Sequence, residues 1–535
     1  VTPPPTKIVI ADELPAAAAD LLRQEGWQVD ALAGRPRDQL LADLADAEGL
    51  VVRSATQVDA ALLAAAPRLK VVARAGSGVD NVDLTAASER GILVLNAPGA
   101  NSVSVAEHVC ALMLSLGRSI ARADAAMKDG RWTKREHLGT ELRGKTLGLV
   151  GLGRVGQEVA SRARAFGMQV LAHDPYIAEQ VAGDLDVALV TLDDLCTRSD
   201  FISLHVPATA ATRRLFDAER LAACKRGVRI INTARGDLLD EDALADAIEA
   251  GQVAGAGLDV FEREPPVHSR LTALPQVVAT PHIAGSTTEA QHLVGTETAA
   301  SVRDYLRFGI VHNAVNFPSI PPEELKRLQP FIGLAEQLAA FAAQLVTGRT
   351  CRVGIRYYGG LAVGTTEPLV GAVLTGLFRT MLSSTVTVIN ARAVAEARGV
   401  EVIESRSSRA RDFTSLMSLK IETSDGALWV EGALFEHGGA RLVLLDGVEV
   451  EAGLDGTHIV IRNRDEPGVI GAIGTILGQH ETNVASFALG RGSAGAIAVV
   501  NVDDPTTPEG PALDERLLDA LRAVPAVRTA DLVRV

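Results

Sequence analysis

Residues 145–156, KTLGLVGLGRVG, run an apolar strand straight into Gly151-x-Gly153-x-x-Gly156, and the helical stretch QEVASRARAFG follows. This pattern predicts a dinucleotide site. Gly151 permits a tight turn, Gly153 lets the backbone approach a pyrophosphate, and Gly156 lets helix and strand pack closely, so that free N–H groups at the helix start face the phosphates. A second apolar run, MQVLAHDP, ends at Asp174, about twenty residues on, where a carboxylate accepts hydrogen bonds from ribose hydroxyls. A 2′-phosphate beside Asp174 would meet like charge with no arginine next to it. The cofactor expected is NAD, not NADP.

At 535 residues the chain is too long for one core, and roughly three or four domains are expected. Its 47% hydrophobic and 22% charged residues are ordinary for a soluble globular protein. A net charge of −14 argues against a general nucleic-acid binder, which neutralises phosphates with clustered Lys and Arg. No long apolar run suggests a membrane span, and VTPPPTKIVIADEL lacks the basic-then-apolar pattern of an export signal. The expected location is the cytoplasm. Cys110, Cys196, Cys224 and Cys351 stand singly, without metal-ligand spacing, and read as reduced thiols.

Outward from the glycine motif, a Pro-rich start is read as disordered as far as Thr6. The runs KIVIADEL, WQVDAL, GLVVRS, LKVVARAGSGVD and GILVLNAP then alternate with helical patterns, which predicts a parallel sheet. A long helix capped by Asn101 or Ser102, with Val105, Val109, Leu112, Met113 and Leu116 at helical spacing, bridges to a second α/β domain. Its further strands lie in DLCTRSDFISLHVP, GVRIINTARG, AGAGLDVFEREP and VVATPHIAG. A helix over about 287–308 returns the chain to the first domain and makes that domain discontinuous. After the Pro-rich junction PSIPPEELKRL come an Ala-rich helix and strands in TCRVGIRYYG, LMSLKIET, ALWVEGALF and ARLVLLDG, a mixed α/β domain. The tail reads strand, helix, strand, strand, helix, strand, a ferredoxin-like βαββαβ order.

Three loops at strand ends supply a cation, an acid and a base. Arg235, in NTARG, cannot lose its proton and can clamp a carboxylate by two hydrogen bonds. Glu264, in FEREP, and His282, in TPHIAGS, can meet in space, where a carboxylate fixes the tautomer of an imidazole. Oxidising a secondary alcohol needs such a base for the hydroxyl proton, with Arg235 polarising the carbonyl as it forms. Each residue alone is more often structural: an Arg-Gly pair a turn, a Glu before Pro a solvated loop, a His at a strand end a satisfied histidine. Downstream of a dinucleotide site the three gain weight together. Glu262 competes with Glu264, and periodicity does not separate them. For a phosphate, Arg53 and Arg74 stand at strand ends, with the backbone of Ser77, Gly78 and Val79 as a nest. The cluster RWTKRE adds Arg131, Lys134 and Arg135, or is a solvated face with Trp132 as a packing anchor. Arg462 and Arg491 are candidates for a second anion, or scattered surface arginines.

AGSGVDNVD, GLGRVG, HDP, NTARG, DVFEREP and PHIAGST, spread over about residues 74–286, resemble the D-isomer-specific 2-hydroxyacid dehydrogenases. The resemblance implies two Rossmann-like parallel-sheet domains, one substrate-binding and discontinuous (1–100 with 287–317) and one NAD-binding (101–286). It makes Arg235, Glu264 and His282 catalytic. NAD contacts are implied from Gly151, Gly153, Arg154, Val155, Gly156, Asp174, Val206, Thr233, Ala234, Arg235, Asp259, His282 and Gly285. Substrate contacts are implied at Arg53, Arg74, Ser77, Gly78, Val79, Lys134 and Arg135, the last two reaching a neighbouring subunit. HIVIRNRDEPGVIGAIGTILGQHETNVASFALGR resembles an ACT regulatory domain (454–535), which follows an intervening domain (318–453). The whole chain thus resembles the long, phosphoglycerate-oxidising branch of the family. That likeness implies oxidation of 3-phosphoglycerate to 3-phosphohydroxypyruvate at the start of serine synthesis, reduction of 2-oxoglutarate as a second activity, and inhibition by L-serine held at Asn463, Asp465 and Asn483. Asn463 departs from the pattern, which carries an aromatic or His there. A homo-oligomer, a dimer of dimers, is implied. The rivals are a sister enzyme acting on glyoxylate, hydroxypyruvate or lactate, and a non-catalytic NAD-sensing corepressor.

Overall fold

Uninterrupted aliphatic runs suit parallel strands, which are covered on both faces. In a computed structural model describing residues 5–318, 322–382, 386–407, 413–435, 439–493, 495–503, 513 and 515–535, two such sheets form. The Pro-rich start and junction fall in part on residues 1–4 and 319–321, outside the described residues. Strands Lys7–Ile10, Gln28–Ala31, Gly49–Val52, Val71–Arg74 and Leu93–Asn96 make an all-parallel sheet in the order 2-1-3-4-5. The second sheet uses Thr146–Val150, Gln169–His173, the short Ala188–Leu189, Phe201–Leu204, Val228–Asn232, Val253–Leu258 and Val277–Ala279, all parallel. Counted along the chain, its order is 7-6-5-4-1-2-3. The order therefore reverses beside Thr146–Val150, where a crevice opens at the carboxyl ends of the strands. The glycine loop sits at that point.

Two long helices join the sheets. Ser102–Arg118 buries Val105, Ala106, Val109, Leu112 and Met113. It starts without the side-chain cap expected from Asn101 or Ser102, because the Asn101 Oδ1 accepts instead from Ser77 Oγ at 2.9 Å. It breaks by 67° from Ile120–Lys128, and among the described residues no single helix is long and apolar enough to cross a membrane. Thr288–Phe308 is capped by Thr287, whose Oγ1 accepts from the Ala290 N–H at 3.1 Å. Its Ala299 and Val302 pack into the core of the first sheet with Ile8, Val71 and Leu93.

The third sheet has six strands in the order Glu401–Ser407, Thr350–Gly359, Ser415–Thr423, Ala427–Phe435, Gly439–Leu445 and Val448–Gly453, antiparallel except for the first pair. The fourth runs Val484–Gly492, Gly495–Val502, Thr457–Asn463, Val527–Arg534, with helices Val469–Gln479 and Glu515–Arg522 sharing a core with one of its faces. This is the ferredoxin-like order. Its other face is not solvated: Val460, Ile497, Val499 and Val533 join Leu334, Leu338 and Phe341 of helix Pro322–Ala343 in one core. His458 meets Phe341 edge-on at 5.8 Å. The Gln344 amide donates to the Arg534 carbonyl at 2.8 Å and accepts from the Arg534 N–H at 3.1 Å.

A shared core means shared unfolding. Phe341→Ala, at a fully buried position, should remove about 3–5 kcal/mol and speed amide exchange in Thr350–Gly359 and Thr457–Asn463 together. Protection retained in Thr457–Asn463 alone would contradict the single core.

Candidate active site

The glycine loop is shaped as a dinucleotide requires. Gly151 has φ 96°, and a Cβ there would lie 2.6 Å from the His205 carbonyl oxygen, with Val206 at 2.9 Å. At Gly156 a Cβ would come within 2.4 Å of the Gly151 oxygen, so helix and loop touch backbone to backbone. Gly153 has nothing within 4 Å of the same position, which leaves room over the start of helix Arg154–Ala165 for a phosphate. Asp174 ends the neighbouring strand; its carboxylate accepts from the Leu152 N–H at 2.8 Å and the Tyr176 N–H at 2.9 Å. Arg154 donates to the Pro98 carbonyl and Val155 packs against the core below. Across the crevice, buried Asn232 pins the next loop, its amide donating to the Arg235 carbonyl at 2.7 Å while its Oδ1 accepts from the Ala234 N–H at 3.0 Å. The Thr233 Oγ1 is enclosed with no hydrogen-bond partner among the described residues, as expected of a group reserved for a polar ligand. The chain fits the cofactor.

The acid and the base do meet. Glu264 Oε2 lies 2.7 Å from His282 Nδ1, while its Oε1 accepts from the Phe261 N–H at 3.2 Å. Glu262 turns away, toward Arg214 at 3.5 Å, and geometry thus separates the two glutamates. His282 is in the left-handed region, φ 53°, where a non-glycine residue needs support. Asp259 provides it. Expected among the NAD contacts, this residue is fully buried, and its carboxylate accepts from Thr280 Oγ1 at 2.6 Å, Ile283 N–H at 2.9 Å and Ala284 N–H at 2.8 Å. Gly285 closes the loop against Asn101, 2.7 Å from where a Cβ would stand.

Arg235 is half-buried and donates to the Ala234 carbonyl at 2.6 Å. Gly236 must follow it, since a Cβ would lie 1.9 Å from the Phe261 carbonyl carbon. A cavity of about 680 Å³ joins Arg235, Glu264 and His282 to Arg53 and Arg74. Burial, then the charge of Arg235, holds the Arg74 guanidinium below its usual pKa, and its Nε has no partner among the described residues. Two buried residues that the sequence reading did not single out fix Arg53. Asp12 accepts from the Arg53 N–H at 2.5 Å and Thr56 Oγ1 at 2.6 Å, and Asn81 donates to the Arg53 and Thr56 carbonyls at 2.7 and 2.6 Å. Asp12 stands just beyond strand Lys7–Ile10, and Asn81 lies within the motif AGSGVDNVD.

Other expected residues lie elsewhere. Lys134 and Arg135 sit in an exposed turn off the cavity, near Trp132 and Leu138, which are 79% and 96% exposed. Asn463 and Asp465 stand at one end of the fourth sheet, and Asn483 precedes Val484, which pairs with Val502 at the other end. One chain does not bring the three together. The anion site considered at Arg462 and Arg491 is not supported, because each already faces carboxylates: Arg462 meets Asp446 at 2.9 Å and Asp531 at 3.6 Å, and Arg491 meets Asp465 at 3.5 Å.

Residues 110–284 match the model of the D-isomer specific 2-hydroxyacid dehydrogenase NAD binding domain, and residues 327–446 that of the D-3-phosphoglycerate dehydrogenase intervening domain. The chain is 41% identical to the D-3-phosphoglycerate dehydrogenase of Archaeoglobus fulgidus over 94% of its own length and 96% of the relative. It is 43% identical to that of Mycobacterium tuberculosis, over 92% and 93%. Among solved structures it resembles a D-lactate dehydrogenase from Aquifex aeolicus complexed with NAD and lactic acid, with a TM-score of 0.52 and 31% identity, over 59% of this chain and all of the other. A glyoxylate reductase from Paecilomyes thermophila gives 0.54 and 30%, over 58% and 98%.

Removing the buried support should disable the loop. Asp259→Ala would orphan the buried Ala284 N–H, about 1–3 kcal/mol, and release the Ile283 N–H; the misplaced imidazole should lower turnover about 100-fold. Unchanged turnover with a lowered melting temperature would separate Asp259 from the positioning of His282.

Proposed function

The chain belongs to the D-3-phosphoglycerate dehydrogenases of the D-isomer-specific 2-hydroxyacid dehydrogenase family, and from that premise we propose how its crevice oxidises 3-phosphoglycerate to 3-phosphohydroxypyruvate. One observation carries the reading: the Glu264–His282 pair and three arginines face a single cavity beside the glycine loop. Arg235 clamps the C1 carboxylate and polarises the C2 oxygen. Arg53 and Arg74 take the phosphate. With Nδ1 engaged by Glu264, His282 has Nε2 left for the substrate and removes the C2 hydroxyl proton there; the Glu264 carboxylate then stabilises the imidazolium. NAD, held at the glycine loop and Asp174, supplies the hydride acceptor. The same cations suit 2-oxoglutarate, whose second carboxylate would stand where the phosphate does, and this supports reduction of that acid as a second activity.

The four sheets support the division 1–100 with 287–317, 101–286, 318–453 and 454–535, the last being a serine-binding ACT domain. Strand Val484–Gly492 is the edge of its sheet. Pairing it antiparallel with a second copy would bring one chain's Asn483 to the other's Asn463 and Asp465, which supports a serine site between subunits. Exposed Ile120, Met127, Trp132 and Leu138 support a second contact between copies, through which Lys134 and Arg135 reach a partner's substrate. Two kinds of contact suit a dimer of dimers. Four unpaired cysteines, three of them buried, suit the reducing cytoplasm.

Arg235→Ala should lower kcat/KM by at least about 100-fold while NADH binding, read by fluorescence, stays intact. Normal turnover by that variant would remove Arg235 from the reaction and favour the non-catalytic sensor. Asp465→Ala and Asn483→Ala should each abolish serine inhibition at an unchanged uninhibited rate; inhibition persisting in both would move the effector site elsewhere.

A further inference from the structure

We infer that Asp80 is a positioning residue for Arg235, a carboxylate from one sheet that aims the substrate clamp of the other. The inference rests on the reading of Arg235 as that clamp. Asp80 follows strand Val71–Arg74 of the first sheet, and Arg235 follows Val228–Asn232 of the second. Asp80 Oδ2 and Arg235 Nη2 are 3.0 Å apart, an ion pair that crosses the crevice. The backbone between them is cut to fit. A Cβ at Gly78 would lie 1.9 Å from Arg235 Nη2 and 2.8 Å from Asp80 Oδ2, so any side chain there would displace one partner or the other.

The pair does little for stability. Asp80 is 73% exposed, and a solvated ion pair contributes at most about 1 kcal/mol. Its effect is directional. Arg235 offers five N–H donors in a rigid plane; one on Nη1 donates to the Ala234 carbonyl, while Nη2 stands 3.0 Å from the Asp80 carboxylate as an ion pair. The hydrogen bond on Nη1 and the charge of Asp80 beside Nη2 limit the swing of the guanidinium, and Nε–H remains for an incoming carboxylate. Asp80 also offsets a repulsion, for its negative charge acts on Arg74, which otherwise faces the positive charges of Arg235 and Arg53. Three guanidiniums on one cavity would spread apart without a carboxylate among them. Because its two partners come from different sheets, the pair also favours the arrangement in which both sheets flank the substrate.

A positioning role and a place-holding role predict opposite signs. If Asp80 merely occupied Arg235 until substrate arrived, removing its charge would tighten substrate binding. If it aims the guanidinium, removal loosens binding. The test measures KM and kcat for reduction of 3-phosphohydroxypyruvate, and the Kd of 3-phosphoglycerate, in Asp80→Asn, Asp80→Glu, Arg235→Ala and the double variant Asp80→Asn/Arg235→Ala. Asp80→Asn should raise KM and Kd about threefold to fivefold, the most that a solvated ion pair can hold in orientation, with a smaller fall in kcat and unchanged NADH affinity. Asp80→Glu should recover part of the loss, and Asp80→Asn should add nothing to the Kd of Arg235→Ala. A KM that is unchanged or lowered in Asp80→Asn, or additive losses in the double variant, would overturn the inference. Substrate binding unaffected by Arg235→Ala would instead overturn the clamp itself.

Discussion

A carboxylate with no access to solvent, that of Asp259, decides where the His282 imidazole stands. It collects the Thr280 hydroxyl and two backbone N–H groups from the segment 280–284, and a buried carboxylate so satisfied has one geometry. His282 can then occupy the left-handed region and turn its ring to Glu264. The pattern recurs around the crevice. Asn232 pins the Arg235 turn, and Asp12 with Asn81 pins the Arg53 loop. Each of these charged side chains is at least partly exposed, but the group that holds its loop is buried. Mobile-looking loops thereby present a fixed constellation.

Much of this was legible in the sequence, for specific reasons. Continuous apolar runs marked the buried parallel strands, and the glycine spacing marked the loop where backbone must touch backbone. Alternating faces and turns gave the terminal βαββαβ order. Edge strand Glu401–Ser407, EVIESRS, was not singled out because an edge needs little apolar surface and carries charge. The Asn101 cap failed because a local capping preference gave way to a tertiary bond with Ser77, which no local pattern reveals. Periodicity does not separate Glu262 from Glu264; the family resemblance picks Glu264, and the fold of the segment beyond Phe261 turns it to His282. Asp259 lay within DVFEREP, but sequence alone does not show that its carboxylate faces inward. Asn463, Asp465 and Asn483 lie at opposite ends of one sheet, so that one chain alone does not bring them together.

The C-terminal half is not loosely appended. Its two sheets share a core with helix Pro322–Ala343. The loop before helix Ala391–Ala397 also grips the first sheet: the Thr387 hydroxyl donates to the Gly91 carbonyl at 3.0 Å and the Asn390 amide to the Glu89 carbonyl at 3.1 Å. Directly beyond that turn runs strand Leu93–Asn96. The Asn96 amide at its end donates to the Ser77 carbonyl at 2.6 Å, next to the glycine against which Arg235 lies. The C-terminal half thus has a continuous set of contacts to the loop that holds Ser77 and Gly78.

The proposed contact of Arg53 and Arg74 with a phosphate is what would set this chain apart from the glyoxylate and lactate enzymes it resembles. The direct test compares kcat/KM for NADH-dependent reduction of 3-phosphohydroxypyruvate and of hydroxypyruvate, which differ only by the phosphate. Recognition by Arg53 and Arg74 should favour the phosphorylated acid by at least about 100-fold, two hydrogen-bonded charge contacts at 1.5 kcal/mol or more each. Equal turnover of the two acids would leave the dehydrogenase chemistry in place and contradict the phosphate site.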